Sequence, residues 1–116
     1  MTPIARRCVA YIVGKLISKS NGGSIYDYSS SGYIHFSGMV GQHVAIYDHT
    51  AGAHISGSTH QFYHHGLRAH ISLSINGKNF SGYDYGSTSH FSGTVRQRNV
   101  SLYDYAESKH FQFLLN

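Results

Sequence analysis

Along most of the chain, apolar and polar residues alternate with period two in short runs, and each run stops at a cluster of turn formers such as Ser30-Ser31-Gly32, Ala51-Gly52, Asn76-Gly77 or Gly86-Ser87. Such alternation predicts half-buried β-strands joined as hairpins. Near the end of the chain Val100, Leu102 and Asp104 fall on one face of a strand, while Ser101, Tyr103 and Tyr105 fall on the other. In the preceding strand Phe91, Gly93 and Val95 oppose His90, Ser92 and Thr94. One sheet surface is therefore expected to be aliphatic, and its reverse to carry Tyr, His, Ser and Thr.

The alternation is copied in tandem, with a period of about twenty residues. Ile25-Tyr26-Asp27-Tyr28 leads to His35-Phe36-Ser37-Gly38, and Ile46-Tyr47-Asp48-His49 leads to His54-Ile55-Ser56-Gly57. Gly82-Tyr83-Asp84-Tyr85 leads to His90-Phe91-Ser92-Gly93, and Leu102-Tyr103-Asp104-Tyr105 leads to His110-Phe111. A degenerate copy runs from Phe62-Tyr63-His64 to His70-Ile71-Ser72-Leu73, with His64 in place of the Asp. The units divide at about 21–42, 43–60, 61–79, 80–99 and 100–116. Residues 1–20 supply a half unit, because Tyr11-Ile12-Val13-Gly14-Lys15-Leu16 has the spacing of His35 to Val40.

The expected fold is a single all-β domain: an antiparallel up-and-down meander of ten to twelve strands, closed or nearly closed into a shallow pseudo-symmetric barrel. An open sheet of that length would leave two edges prone to aggregation. Closure is expected to pair the strand around Tyr11 to Leu16 with the last strand, Lys109 to Leu115. A helix over Ile4 to Leu16 competes, since Ile4, Cys8, Ile12 and Leu16 lie four apart, but Gly14 and the β-branched run disfavour it. The repeated Gly predicts a kink, a bulge or close packing.

Composition narrows the function classes. The chain has 116 residues with ten His, ten Tyr, thirteen Gly, one Pro and no Trp. Cys8 is the only cysteine, which excludes an intrachain disulfide framework and favours a reducing, cytoplasmic setting. Arg6 and Arg7 before Cys8 to Val13 imitate the basic head and apolar middle of a signal peptide, but Lys15 interrupts the run and no small-x-small cleavage site follows. No stretch reaches the ~20 apolar residues of a membrane span. The net charge of +4 favours anionic partners without specifying one.

The pattern Tyr83-Asp84-Tyr85 to His90-Phe91-Ser92-Gly93-Thr94-Val95, followed by Val100-Ser101-Leu102-Tyr103-Asp104-Tyr105, resembles the bacterial β-flower repeat proteins over about residues 11 to 116. The resemblance implies short repeats arranged as petals around a radially symmetric barrel, with a distant relation to Tubby-type lipid-binding barrels. It implies no activity and no catalytic residues. The missing Asp of the third copy and the half-missing first copy leave the order of symmetry open.

The candidate ligand surface consists of Tyr26, Tyr47, Tyr63, Tyr83 and Tyr103 with His35, His54, His70, His90 and His110. Their π faces, hydroxyls and imidazoles suit stacking against glycan-like, lipid-like or other amphipathic ligands, although the same residues also serve as ordinary cross-strand neighbours. Asp27, Asp48, Asp84 and Asp104 are expected to shape the turns by accepting backbone N–H bonds. Four of the five acids occupy equivalent repeat positions, so the asymmetric constellation that catalysis needs is lacking, and no catalytic residue or cofactor is assigned. His54, His60, His64, His65 and His70 cluster in sequence but never at i, i+2, so no metal site is assigned. Arg6, Arg7, Lys15, Lys19, Arg96 and Arg98 are too scattered for a dedicated nucleic-acid binder. The readings carried forward are a non-enzymatic binding module, a homo-oligomerising structural or interaction module, peripheral contact with lipid and, as a weaker alternative, His-mediated metal binding. The abundance of His further suggests loosening under mild acid.

Overall fold

A computed structural model describes Met1–Asn116. It contains one helix, α1 (Pro3–Ser18), followed by ten strands: β1 (Ser24–Asp27), β2 (Gly32–Val40), β3 (His43–Asp48), β4 (Ala53–Ser58), β5 (Gln61–His64), β6 (Ala69–Asn76), β7 (Asn79–Asp84), β8 (Ser89–Arg96), β9 (Asn99–Asp104) and β10 (Lys109–Leu115). All neighbours are antiparallel and follow chain order, and the sheet closes into a barrel where β1 meets β10. The up-and-down meander and its closure agree with the alternating pattern. The closing strand does not. Closure is made by Ile25↔Leu115, Tyr26↔Leu114 and Asp27↔Phe113, while Tyr11 to Leu16, expected as the closing strand of a half unit in residues 1–20, lies inside α1.

Burial explains why helix prevails there. Eight strands already leave a lumen that side chains alone just fill, and ten strands leave a wider one. The helix occupies that space: Ala5, Cys8, Val9, Ala10, Ile12 and Val13 are completely buried and Tyr11 nearly so. A helix that is apolar on all sides belongs in a core. Each buried aliphatic side chain contributes about 1.5–3 kcal/mol, against a propensity penalty below ~1 kcal/mol for each β-branched residue or for Gly14. Gly14 also has a packing role, since a Cβ there would stand 3.3 Å from Leu115 Cδ2 and 3.4 Å from Val100 Cγ2. Thr2 caps the first turn, its hydroxyl accepting from Ala5 N at 3.1 Å, and Pro3 stands where a missing N–H costs nothing. Lys19 ends the helix in the left-handed conformation and donates its N–H to the Lys15 carbonyl.

Around the helix, the aliphatic face of every strand points inward. Tyr11 stacks on Phe36 with ring centroids 4.3 Å apart. Gly93, one of the repeated glycines, and Gly82, which stands where the other copies carry Ile, Phe or Leu, make room for aromatic rings from the paired strand. A Cβ on Gly82 would lie 2.5 Å from Phe91 Cζ and 2.1 Å from the Ser72 carbonyl oxygen; on Gly93 it would lie 2.5 Å from Phe80 Cζ and 2.0 Å from the Ser101 oxygen. Phe91 and Phe80 are directly cross-strand from these glycines, so close packing is the reason for both.

The register of the first hairpin also departs from the expected alignment. Tyr26 pairs with Tyr33, and His35 pairs with Ser24, whereas Tyr47↔His54, Tyr63↔His70, Tyr83↔His90 and Tyr103↔His110 pair directly. Tyr33, not His35, therefore holds the position of the repeated His. The cause is a two-residue offset in β2, which presents Ile34 to β1 but Phe36 to Asp48 of β3. In β8 the single residue Phe91 faces both Gly82 and Asp104.

Candidate functional site

The strand alternation places the Tyr and His rows on the outer wall of the barrel. Tyr47, Tyr63, Tyr83 and Tyr103 meet His54, His70, His90 and His110 edge to face, with centroids 4.7–4.8 Å apart. In the first hairpin Tyr26 meets Tyr33 at 5.0 Å in the same manner. His35 is exposed on the same wall but belongs to no ring cluster.

A third ring completes each group. Tyr28, His49, His65, Tyr85 and Tyr105, two residues beyond each central Tyr, stand 4.8–5.0 Å from it, again edge to face. The sequence alternation assigns Tyr105 to the face of Tyr103, and none of the five is among the candidate ligand residues, yet the i, i+2 spacing places both rings on one face in every copy. Edge-to-face contacts contribute about 0.5–1.5 kcal/mol each, so the clusters brace the wall as well as decorate it. Serines of the adjoining strands link neighbouring groups: Ser37 Oγ to His49 Nε2 at 2.9 Å, Ser56 Oγ to His65 Nε2 at 3.0 Å, and Ser92 Oγ to Tyr105 Oη at 3.1 Å. The central tyrosines are half-buried, while Tyr28, Tyr33, Tyr85 and Tyr105 each expose more than half of their surface.

Two shallow grooves run between the ring clusters on one side of this belt. The larger, of about 490 Å³, is lined by Ser72, Ser81, Tyr83, His90, Ser92 and Tyr105 above Gly82 and Phe91. The second, of about 400 Å³, shares Ser92 and is lined by Ser101, Tyr103 and His110 together with Asn79, Phe80, Gly93 and Thr94.

The repeated acids lie on the opposite side of the sheet from the rings. Asp27, Asp48, Asp84 and Asp104 are all buried, ringing the mouth of the barrel at which α1 begins. Each accepts a turn N–H: Ser29 N to Asp27 at 2.9 Å, Thr50 N and Ala51 N to Asp48 at 2.9 Å, Gly86 N to Asp84 at 2.9 Å, and Ala106 N to Asp104 at 3.1 Å. In the third unit His64 does the same, its Nδ1 accepting from Leu67 N at 3.1 Å. The substitution that looked like a lost Asp thus preserves the acceptor. It also fixes the tautomer, leaving His64 Nε2 as a fully buried donor without a partner.

Charge compensation at this mouth comes from the helix. Arg7 Nε lies 2.9 Å from Asp27 Oδ2, and Arg6 Nη1 lies 3.3 Å from Asp104 Oδ2, with the Met1 amine 3.1 Å from the same oxygen. The Arg6 guanidinium stacks on Phe111 at 3.8 Å. Burial alone would raise the Asp27 carboxyl; the Ser29 and Arg7 hydrogen bonds and the Arg7 charge outweigh it and hold the group below its ordinary value. For His64 burial is the largest effect and favours the neutral ring, against the opposing charges of Asp48 and Asp84. Burial, followed by the charges of Asp48 and Asp84, pushes the Cys8 thiol well up, so this residue is an inert core side chain.

The two mouths differ sharply in charge. All five acids, Asp27, Asp48, Asp84, Asp104 and Glu107, fall at the mouth where α1 begins, with Arg6, Arg7, Arg68 and Lys109. The other five cations, Lys15, Lys19, Lys78, Arg96 and Arg98, fall at the opposite mouth with no acidic side chain. None of these five forms an ion pair. The sequence-adjacent histidines disperse: His64 lies inside, His54, His65 and His70 on the outer wall, and His60 in the turn between β4 and β5. No group of three or more His, Cys, Asp or Glu is arranged to hold a metal ion.

Fold and surface together define a helix-filled, closed ten-stranded antiparallel barrel with an outer belt of aromatic clusters. In comparison with known proteins, no family model, curated protein or solved structure matches the chain. No helix is long and apolar enough to cross a membrane.

Proposed function

We propose that this chain is a non-enzymatic binding module whose outer aromatic belt receives glycan-like ligands in the grooves between ring clusters. The observation that carries the reading is the pair of adjoining grooves lined by Tyr83, His90, Ser92, Tyr103, Tyr105 and His110. Aromatic faces stack on the C–H faces of sugars, and Ser, Tyr and His side chains both donate and accept hydrogen bonds to sugar hydroxyls. Shallow grooves repeated around a wall favour several weak contacts that gain strength together. The buried carboxylates are committed to turn N–H groups and to arginines, which leaves this wall without the paired acids that glycoside hydrolysis uses. The five ring clusters around one barrel also support a place among β-flower-like proteins.

A second reading rests on the same exposed rings. Tyr28, Tyr33, Tyr85 and Tyr105 are each 52–58% exposed, and such a belt suits contact between copies of the chain. A glycan array combined with analytical ultracentrifugation separates the two. Under the binding reading the monomer retains glycans, and Tyr105→Ala weakens retention up to about tenfold, the worth of one aromatic contact. A stable oligomer that retains nothing on the array refutes it in favour of self-association.

A further inference from the structure

The mouth opposite the acids combines unpaired cations with apolar side chains that project into water. Met39, the penultimate residue of β2, is 76% exposed, and Ile75, near the end of β6, is 39% exposed. Between them Leu16 of the helix, Leu73 and Ile75 line a notch of about 280 Å³ that opens beside Gly41, Gln42, Thr59 and His60. Lys19, Lys78, Arg96 and Arg98 stand exposed around this rim on the end of α1, on two different turns and at the end of β8. The negative end of the helix dipole accounts for Lys15 and Lys19, and Lys15 is further engaged by the Gly22 carbonyl at 2.9 Å. The side chains of Lys78, Arg96 and Arg98 have neither an ion-pair nor a hydrogen-bond partner, although the Lys78 and Arg98 carbonyls accept from Val95 and Leu115.

We propose that this mouth docks on an anionic lipid surface, with the rim cations on the headgroups and Met39 and Ile75 at the acyl boundary. The charge is complementary in sign and concentrated: side chains at this mouth sum to +5 and those at the other to −1, which together give the net +4 of the chain. Anionic headgroups attract each nearby Lys or Arg, and apolar tips among the cations add the buried area that holds a protein at the interface. Single-stranded nucleic acid fits less well. It would need large rings on which successive bases can stack, and the exposed tyrosines all lie toward the acidic mouth, leaving here only the smaller imidazoles of His43 and His60. The surface is separate from the ring clusters, so the docked barrel would keep its aromatic belt free.

Cosedimentation of the full chain with phosphatidylcholine vesicles, with and without phosphatidylserine, tests the assignment. Binding is expected only when phosphatidylserine is present and should fall as salt is raised. Replacing Lys78, Arg96 and Arg98 with Gln should weaken it roughly 100-fold, at about 1 kcal/mol, or fivefold, per cation. Met39→Ser should weaken it severalfold at any salt concentration. Arg68→Gln with Lys109→Gln, at the other mouth, should leave it unchanged. All these side chains are exposed, and circular dichroism checks that each variant is folded. The proposal is overturned if the chain ignores phosphatidylserine vesicles, if the triple variant binds as the parent does, or if single-stranded RNA is bound under conditions where the vesicles are not.

Discussion

The turns at the two mouths are closed by different means. After Asp27, Asp48, Asp84 and Asp104 a buried carboxylate reaches over the reversal and accepts its N–H groups, and Arg6 and Arg7 answer two of those charges from the helix. Left-handed residues serve reversals at both mouths, Gly52 and Thr88 at this one and Gly77 and Gln97 at the other, but at the opposite mouth no carboxylate fastens the turn and the charges face water. The same hairpins thus use ionisable groups as internal fasteners at one end and leave them free at the other. Stability should be concentrated where the charges are buried, and interaction where they are not.

The largest expected effect comes from breaking a fastener. Asp104→Ala leaves Arg6 buried without its partner and should cost about 3–5 kcal/mol in urea unfolding, whereas Arg98→Gln at the open mouth should stay within about 0.5 kcal/mol. Next comes the wall between the mouths. Gly93→Ala forces a Cβ against the Ser101 carbonyl and the Phe80 ring and should cost about 1–3 kcal/mol. Gly41→Ala, which meets nothing within 4 Å, should be nearly neutral by the same measurement.

A third prediction concerns pH. The folded state holds His64 neutral, so its folded value lies below its unfolded one. The stability it contributes is complete above the unfolded value of about 6.5 and declines as pH falls through the folded value, by up to ~1.4 kcal/mol per pH unit between the two. His64→Asn keeps an acceptor for Leu67 N without titrating, and its thermal midpoint should lack this decline. An equal decline in the variant would remove His64 as the cause. Asp27, with a lowered carboxyl, adds a second loss at lower pH, as the solution falls below the ordinary carboxylate value of about 4. The smallest effect is a gain. Thr88 holds the left-handed position at φ 52° that Gly52 holds in its own turn at φ 65°, so Thr88→Gly should raise stability by up to about 1 kcal/mol.

The two faces of each strand were legible in the sequence because a strand has period two and every copy repeats the same alternation. Closure was legible too, from the cost of long open edges. Three features were hidden for separate physical reasons. Between Cys8 and Gly14 the helix is buried on every side and carries no polar stripe, so the spacing of Ile4, Cys8, Ile12 and Leu16 was outweighed by Gly14 and the β-branched residues, which read as strand. In the first hairpin the string His35-Phe36-Ser37-Gly38 resembles His90-Phe91-Ser92-Gly93 because Phe36, like Phe91, is set against the Asp of the next hairpin. The offset toward the preceding strand is invisible in a one-dimensional alignment. His64 looked like a lost Asp because a residue name conceals the property retained, an acceptor aimed at the turn. For the candidate surface, the Tyr and His rows were legible as rows, and Tyr105 as a neighbour of Tyr103, but the third ring of each cluster was not counted among the ligand-facing residues.

The place of α1 has a consequence for assembly. The helix precedes every strand in the chain, yet the seam that encloses it is made between the first strand and the last, from Ile25 to Leu115. During synthesis its oily surface waits for the final hairpin, since no subset of earlier hairpins can complete the ring. Folding is thereby made to depend on contacts between the most distant parts of the chain, a topology that slows folding and leaves the unfinished chain prone to aggregation.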